Sequence, residues 1–367
     1  MKKSFVGRSE ISASLVGIGT FEIGGSSWWD SQDDRQSINT IRSAIDMGVN
    51  FIDTAPVYGF GHSESIVGRA VSGQRDRVII STKFGEVFDG SKNGRFHYTH
   101  DGRDVYTCLA RNSILKQLEQ SLKNLKTDYI DIFCMHFFFD DHSVGVPDEI
   151  VRVVEDVISS GKVRSFSASN LALEQVEYFS SNLGSKMSSC QIYSNVLDRE
   201  DLNVPLRPLA LAEEFSLFAI NSLAKGILTG SFLDNYSVKE RSERSESAWF
   251  AGGHVGAVNE MLSAWRPLCE KYCASLASLA IAWALYQPGT THAIVGASHP
   301  EHISSMINAA QIELSEEDAN FMATRAAKLR DNLLEEPLNA ARAKVLELAE
   351  SGMPVIIWGA GVTLDYL

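Results

Sequence analysis

The segment NFIDTAPVYGFGHSES, residues 50–65, runs a short apolar strand pattern into a carboxylate, Asp53, and follows it with a phenol, Tyr58, on a stretch punctuated by Gly59 and Gly61. Two later apolar runs carry groups that can hold or move a proton: RVIISTKFG contains Lys83, and YIDIFCMH ends on His136. A phenol near its ordinary pKa of about 10 is a sluggish acid at neutral pH. A neighbouring ammonium favours the phenolate and eases proton donation. A carboxylate paired with that ammonium keeps it charged and aimed where a lone buried cation would be penalised. An imidazole beside them can orient an oxygen by hydrogen bonding. Brought into one pocket, the four would perform acid–base chemistry on a substrate oxygen.

The elements that must position them follow from periodicity. Short β-branched runs alternate with longer amphipathic ones. The strand candidates are SLVGIGTF, VNFIDTA, RVIISTKFG, YIDIFCMH, VRSFSASN, SSCQIYSN, LFAINSLAKG and HAIVGAS, with helical patterns such as SINTIRSAIDMG, NSILKQLEQSLKNLK, DEIVRVVEDVISSG and LEQVEYFSS between them. Gly48 and Gly161 stand where a helix C-terminus favours glycine. Alternating βα units imply a parallel sheet with right-handed crossovers. Eight of them suggest a (β/α)8 TIM barrel, and counting alone leaves a doubly wound open sheet as the alternative. The strand ends carry Asp53, Lys83, His136, Ser169 with Asn170, Gln191, Asn221 with Ser222, and Ser298. In a barrel these ends meet on one face, where that fold builds its active sites.

Taken together, these motifs resemble the aldo-keto reductases over roughly residues 10–325. DTAPVYGFGHSE is similar to the family's Asp-Thr-Ala-x-x-Tyr-Gly segment, STKFG to its lysine strand and DYIDIFCMH to its histidine strand, while SASN, CQIYSNVLDRE and LAKGILTG resemble three cofactor-side segments. The resemblance implies a (β/α)8 barrel, NADPH or NADH as cofactor, and reversible reduction of an aldehyde or ketone, a sugar among the candidates. It places the catalytic set on Tyr58, Asp53, Lys83 and His136. It assigns nicotinamide contacts to Ser169, Asn170 and Gln191. AKGILTG, with Gly226, would run beneath the pyrophosphate, Asn221, Ser222 and Leu223 would also bind the cofactor, and Gly296, Ala297, Ser298 and His302 would lie on the adenosine-phosphate side. Hydride arriving at a carbonyl carbon leaves charge on oxygen that must be protonated, which is the work the four groups suit.

Two positions depart from the family pattern. Gly296 and His302 stand where many members carry a Lys and an Arg around the 2′-phosphate, which opens NADH or dual use. Ile220 stands where many place an aromatic ring against the nicotinamide, so looser cofactor binding is expected. Trp28, Trp29 and Phe84 are the candidate substrate residues among aromatics that also include Phe88, Phe137 to Phe139, Trp249 and Phe250. Residues 86–106 and 234–258 read as long polar loops at the catalytic end, lids or binding segments; the second carries Arg241 and Arg244, which are expected in a solvated loop, with contact to a phosphate as the alternative. The barrel domain is expected over 1–330. Residues 331–367 would form an appendage: a helix at 337–351, then MPVIIWGAGVTLDYL, a strand with a Gly-x-Gly turn at Gly359 and Gly361 and a helix start.

Composition bounds the rest. A 367-residue chain, 44% hydrophobic, is long enough for a large core, and its net charge of −13 argues against nucleic-acid or anionic-membrane partners. No segment reads as a bilayer span or a secretory leader. Five cysteines without framework spacing suit a reducing, cytoplasmic setting. The expected partner is a small carbonyl or alcohol, with self-association left open, and no metal set is evident. A nucleotide-binding regulatory barrel with little turnover is the second reading. A hydrolase using Asp53 and His136 is the third, weakened by the lack of a second catalytic carboxylate.

Overall fold

The computed structural model describes residues 1–25, 29, 33–136, 148–198, 205–232, 236, 238 and 242–335. Trp28, Phe137 to Phe139, Arg241 and the expected appendage from residue 336 onward lie outside them. Eight strands close into a barrel: β3 (Val16–Gly19), β4 (Phe51–Asp53), β5 (Ile79–Phe84), β9 (Ile130–Met135), β10 (Val163–Ser169), β11 (Met187–Tyr193), β12 (Ser216–Ile220) and β13 (Thr290–Gly296). Each pairs in parallel with the next in chain order, and β13 returns to β3, so the eight strands are those expected from the sequence. Closure removes the open-sheet alternative.

The period-two geometry of strands sorts the side chains into two layers. Phe51, Ile79, Ile132, Phe218 and Ile294 form one cluster within the barrel, while Ile52, Ile80, Phe133 and Phe166 pack with residues of the surrounding helices. A hairpin of β1 (Lys3–Phe5) and β2 (Ser12–Ser14) precedes the first barrel strand, and Val6, Ile11 and Ala13 beside it join the inner cluster. Helices begin and end by ordinary capping rules. The Asp33 side chain accepts from the Gln36 N–H at the start of the helix Asp34–Asp46, and Gly48 (φ 92°) turns the chain beyond it.

The segment after β5, expected as an irregular loop, is instead a small antiparallel sheet of β6 (Glu86–Val87), β7 (Arg95–His100) and β8 (Arg103–Thr107), ordered β6-β8-β7. Its tight turn places Asp101 (φ 46°) and Gly102 (φ 72°) in the left-handed region. Such a two-residue hairpin turn demands this conformation, and Asp-Gly supplies it. The sheet rises beside the C-terminal ends of the barrel strands and contributes His97 to Gly102 to the rim of the cavity there.

Candidate active site

A cavity of about 1330 Å³ opens at the C-terminal ends of the strands. Its inner end is built from four separate elements. Asp53 closes β4, Lys83 lies in β5, His136 follows β9, and Tyr58 hangs from the loop after β4. Lys83 Nζ donates to Asp53 Oδ2 at 2.6 Å, to the Thr54 carbonyl at 2.9 Å and to Tyr58 Oη at 3.0 Å. The other oxygen of Asp53 accepts from Ser81 Oγ at 2.8 Å and Gln191 Nε2 at 2.7 Å. Both oxygens of this buried carboxylate are therefore hydrogen-bonded, which is what a buried ion pair requires.

The glycines around Tyr58 have a packing reason. A Cβ on Gly59, whose φ is 61°, would sit 2.0 Å from the Gly24 carbonyl oxygen, and one on Gly24 would sit 2.6 Å from the Tyr58 carbonyl carbon. The two loops touch backbone to backbone, and this contact holds the phenol over Lys83. Phe21 lies against its ring at 4.8 Å between centroids, and the His136 ring stands nearly perpendicular at 6.0 Å.

Burial raises the Tyr58 phenol above its ordinary pKa, and the Lys83 ammonium offsets this only in part. The simple expectation of a lowered phenol is thus corrected: desolvation outweighs the cation here. Burial also works against charge on Lys83, but Asp53 and then Tyr58 more than offset it, and the ammonium is held above its usual value. The resting pair is neutral phenol and ammonium.

One carboxylate went unrecognised in the sequence. Glu86, the first residue of β6, brings Oε2 to 2.6 Å from His136 Nδ1, while its Oε1 accepts from Tyr98 Oη at 3.0 Å. Burial pushes this carboxyl up, but His136 and then His97 outweigh it and hold it down at about 2.

The cavity continues past Ser169, Asn170 and Gln191 to Asn221, Ser222, Leu223 and Gly226, then to Gly296, Ser298 and His302. Asn170 Nδ2 donates to the His136 carbonyl and to Ser169 Oγ, each at 3.1 Å. Asn221 (φ 58°), Ala224 (φ 47°), Lys225 (φ 55°) and Gly226 (φ 95°) give the turn after β12 a left-handed character, and Asn221 Oδ1 accepts from the Lys225 N–H at 2.9 Å. Arg244 Nε donates to the Lys225 carbonyl at 3.2 Å, and Lys225 Nζ meets Glu243 Oε2 at 3.0 Å, so part of the segment expected as a lid or binding loop is docked on this turn.

Glu22, also missed, lies against Gly296: a Cβ built there would be 2.3 Å from its carboxylate oxygens. Burial raises Glu22 to about 7, against the pull of Arg244. Burial likewise lowers His302 below the ordinary imidazole value, helped by His299.

Two assignments change. Phe84 is buried, 1% exposed, and stacks on Phe133 at 4.5 Å; it shares the outward parity of Ile80 while Lys83 points inward, so it is not a substrate residue. The Ala297 side chain packs in the apolar cluster with Ile303 and Met306 and is not part of the cavity wall. Trp29 does line the cavity, edge-on to Phe21 at 5.7 Å, with its indole N–H lacking a hydrogen-bond partner among the described residues. The described residues contain no cluster of three or more His, Cys, Asp or Glu able to hold a metal.

The aldo/keto reductase family model matches residues 15–324. The chain belongs to the aldo/keto reductase family. It is 34% identical to an NADH-specific methylglyoxal reductase of Escherichia coli (strain K12), over 90% of this chain and 99% of that one. It is 31% identical to an aldo-keto reductase of Bacillus subtilis (strain 168), over 92% and 96%. Among solved structures, a glycerol dehydrogenase of Gluconobacter oxydans superposes with a TM-score of 0.75 at 27% identity, covering 90% of this chain and 96% of that one. This aldo-keto reductase is an NAD(P)-dependent oxidoreductase interconverting carbonyl compounds and alcohols. No helix among its described residues is long and apolar enough to cross a membrane.

Proposed function

We propose that this aldo-keto reductase reduces a small polar aldehyde or ketone, with Tyr58 as the general acid and NADH as the preferred donor. The observation that carries the reading is the Lys83 ammonium bridging Asp53 Oδ2 at 2.6 Å and Tyr58 Oη at 3.0 Å at the inner end of the cavity.

The cavity suits a dinucleotide. Its volume exceeds the roughly 300–1,000 Å³ of ordinary ligand pockets, and Ser169, Asn170 and Gln191 present amide and hydroxyl groups beside Tyr58. Gln191 Nε2 is tied to Asp53, which leaves its oxygen as the group to meet a carboxamide. The left-handed turn at 224–226 and the N–H groups near Gly296 and Ser298 suit anionic oxygens. When bound, the nicotinamide supplies the hydride. Tyr58 supplies the proton: because its oxygen accepts from Lys83, the hydroxyl hydrogen is available to the substrate oxygen. As the O–H bond breaks, Lys83 stabilises the phenolate left behind, and Asp53 keeps Lys83 charged and in place. His136 orients the substrate oxygen from the other side of the pocket.

At the adenosine end, Gly296 and His302 provide no fixed positive charge, and the Glu22 carboxyl packed against Gly296 crowds the place of an added phosphate. This supports NADH over NADPH, as does the NADH-specific relative. Trp29 and Phe21 form the substrate wall, an aromatic surface bordering a compact carbonyl substrate. The net charge of −13 and the free cysteines among the described residues support a cytoplasmic protein acting on small molecules without a nucleic-acid partner.

Quenching of intrinsic fluorescence by NADH and NADPH, followed by turnover of methylglyoxal and of a nitrobenzaldehyde, tests the proposal. Tighter NADH binding and turnover lost in Tyr58→Phe are expected. Tighter NADPH binding, or full turnover by Tyr58→Phe, would overturn it.

A further inference from the structure

We propose that Ser63 is a positioning residue for Tyr58: its buried hydroxyl and its N–H together fix how far the phenol stands from Lys83. The inference rests on the reading above, in which Tyr58 is the general acid.

Hydrogen bonding leads to it. The first N–H groups of a helix have no partner within the helix. At the start of the helix His62–Ala70, those of His62 and Ser63 are taken by the carbonyls of Gly59 and Tyr58, each at 3.2 Å. Tyr58 is thus tied through its own backbone to Ser63. The Ser63 side chain is fully buried, as are Thr20 and Thr54 just beyond the ends of β3 and β4. Ser63 Oγ lies 3.0 Å from Thr54 Oγ1, 2.7 Å from Thr20 Oγ1 and 2.9 Å from the Thr20 carbonyl.

A hydroxyl has one hydrogen to give. Thr20 Oγ1 gives its own to the Asp53 carbonyl at 3.0 Å, so toward Ser63 it accepts. Ser63 therefore donates to Thr20, and Thr54 donates to Ser63. The Thr54 carbonyl in turn accepts from Lys83 Nζ at 2.9 Å, and Lys83 Nζ donates to Tyr58 Oη at 3.0 Å. These contacts close a circuit from Lys83 through Thr54, Ser63 and Tyr58 back to Lys83. Ser63 joins the strand end that holds the lysine to the loop that carries the phenol. Its neighbour Glu64 keeps the turn in place, accepting from Thr82 Oγ1 of β5 at 2.7 Å and from Asn124 Nδ2 at 2.9 Å. A misplacement of about 1 Å can cost about 10²-fold in rate. A hydroxyl that touches neither substrate nor cofactor thereby acquires leverage over proton transfer.

The test uses the full-length chain with Ser63→Ala, which keeps the N–H and removes the hydroxyl, Thr54→Val, which breaks the same link from the other side, and the double variant. Each single variant should lower kcat for carbonyl reduction about tenfold and leave NADH affinity within about twofold of wild type. Ser63→Ala also strands the buried Thr54 donor and should lose stability in urea. The double variant, with both partners gone, should regain part of that stability and none of the rate. In a Tyr58→Phe background, Ser63→Ala should change the residual rate by less than about twofold, because its effect passes through the phenol. Wild-type kcat in Ser63→Ala, a rate that recovers together with stability in the double variant, or an equal tenfold loss in the Tyr58→Phe background would overturn the assignment. If Ser63→Ala does not fold, Thr54→Val decides by its kcat and by its effect in the Tyr58→Phe background. Full turnover by Tyr58→Phe alone would instead overturn the functional reading beneath it, and that result needs no change at Ser63.

Discussion

Tyr58 Oη accepts a hydrogen bond from Lys83 Nζ at 3.0 Å, although the two residues belong to different strand–loop units and each is expensive to bury. The direction of this bond matters as much as its length. Lys83 donates, so the tyrosine hydrogen is not consumed within the protein and can be delivered to a substrate. Removing only that hydrogen donor should leave the cavity intact. Tyr58→Phe is expected to lower kcat about 10²- to 10⁴-fold, the ordinary value of a positioned acid, with NADH affinity within about twofold of wild type. Fluorescence titration alongside steady-state rates checks both halves.

Lys83→Met strands the Asp53 carboxylate, which is 3% exposed and partnered by this ammonium. Breaking one side of a buried pair costs about 3–5 kcal/mol. A matching drop in urea-unfolding free energy is expected, along with loss of turnover. The double variant Asp53→Asn/Lys83→Met should regain most of the stability and none of the rate. A double variant no more stable than the single one would show that the pair is not the source of the loss.

Glu22 and Gly296 should be coupled in cofactor choice. Gly296→Lys introduces the cation that many family members carry and this chain lacks, but its side chain starts against the Glu22 carboxylate. That carboxylate can swing aside and pair with the new ammonium, blunting any gain. The single variant should change the NADPH-to-NADH ratio of kcat/KM by less than about threefold, and Glu22→Ala/Gly296→Lys by about tenfold or more, since contacting sites are non-additive. Equal ratios for the single and double variants would remove Glu22 from the account.

Ile220 lines the cavity at the end of β12, opposite Tyr193 of β11. An aromatic ring there can stack on a nicotinamide where isoleucine can only pack. Ile220→Tyr should tighten NADH binding by about threefold to tenfold, the equivalent of roughly 0.5–1.5 kcal/mol for an aromatic pair. Unchanged or weaker binding would place the nicotinamide elsewhere.

His292 gives the fold an acid-sensitive point. It is fully buried beside Phe51 and Phe218, and burial lowers it to about 4. The folded imidazole thus binds a proton less readily than the unfolded one, whose ordinary value is 6.5. Its contribution is complete above that ordinary value and is lost as pH falls toward about 4. Over that window the loss amounts to about 2–3 kcal/mol. Comparing urea unfolding of wild type and His292→Gln at pH 7.5 and pH 4.5 isolates the term: the variant should lose less stability between the two conditions.

The barrel was legible because eight apolar runs alternated with amphipathic ones and ended on polar groups. The four residues proposed for acid–base chemistry were legible because each sits within or just beyond such a run. Phe84 was misplaced for want of one further step: counting in twos from Lys83 sends it outward with Ile80. The Asp101-Gly102 dipeptide announced a hairpin in a segment taken for a loop, and recognising it would have brought Glu86 into a strand beside the catalytic face. Glu22 carried no local signal. Its meaning comes from contact with Gly296, far along the chain, and such proximity exists only once β3 and β13 lie side by side.

Gln191 reaches Asp53 across a sequence separation of 138 residues. That contact joins the second strand of the barrel to the sixth, so it cannot form in any short fragment or early local structure. Interactions of such long range form late and slowly. Competence to bind nucleotide and turn over substrate should therefore appear during refolding only with the slowest major phase. Helical circular dichroism, which reports local order, should recover ahead of it.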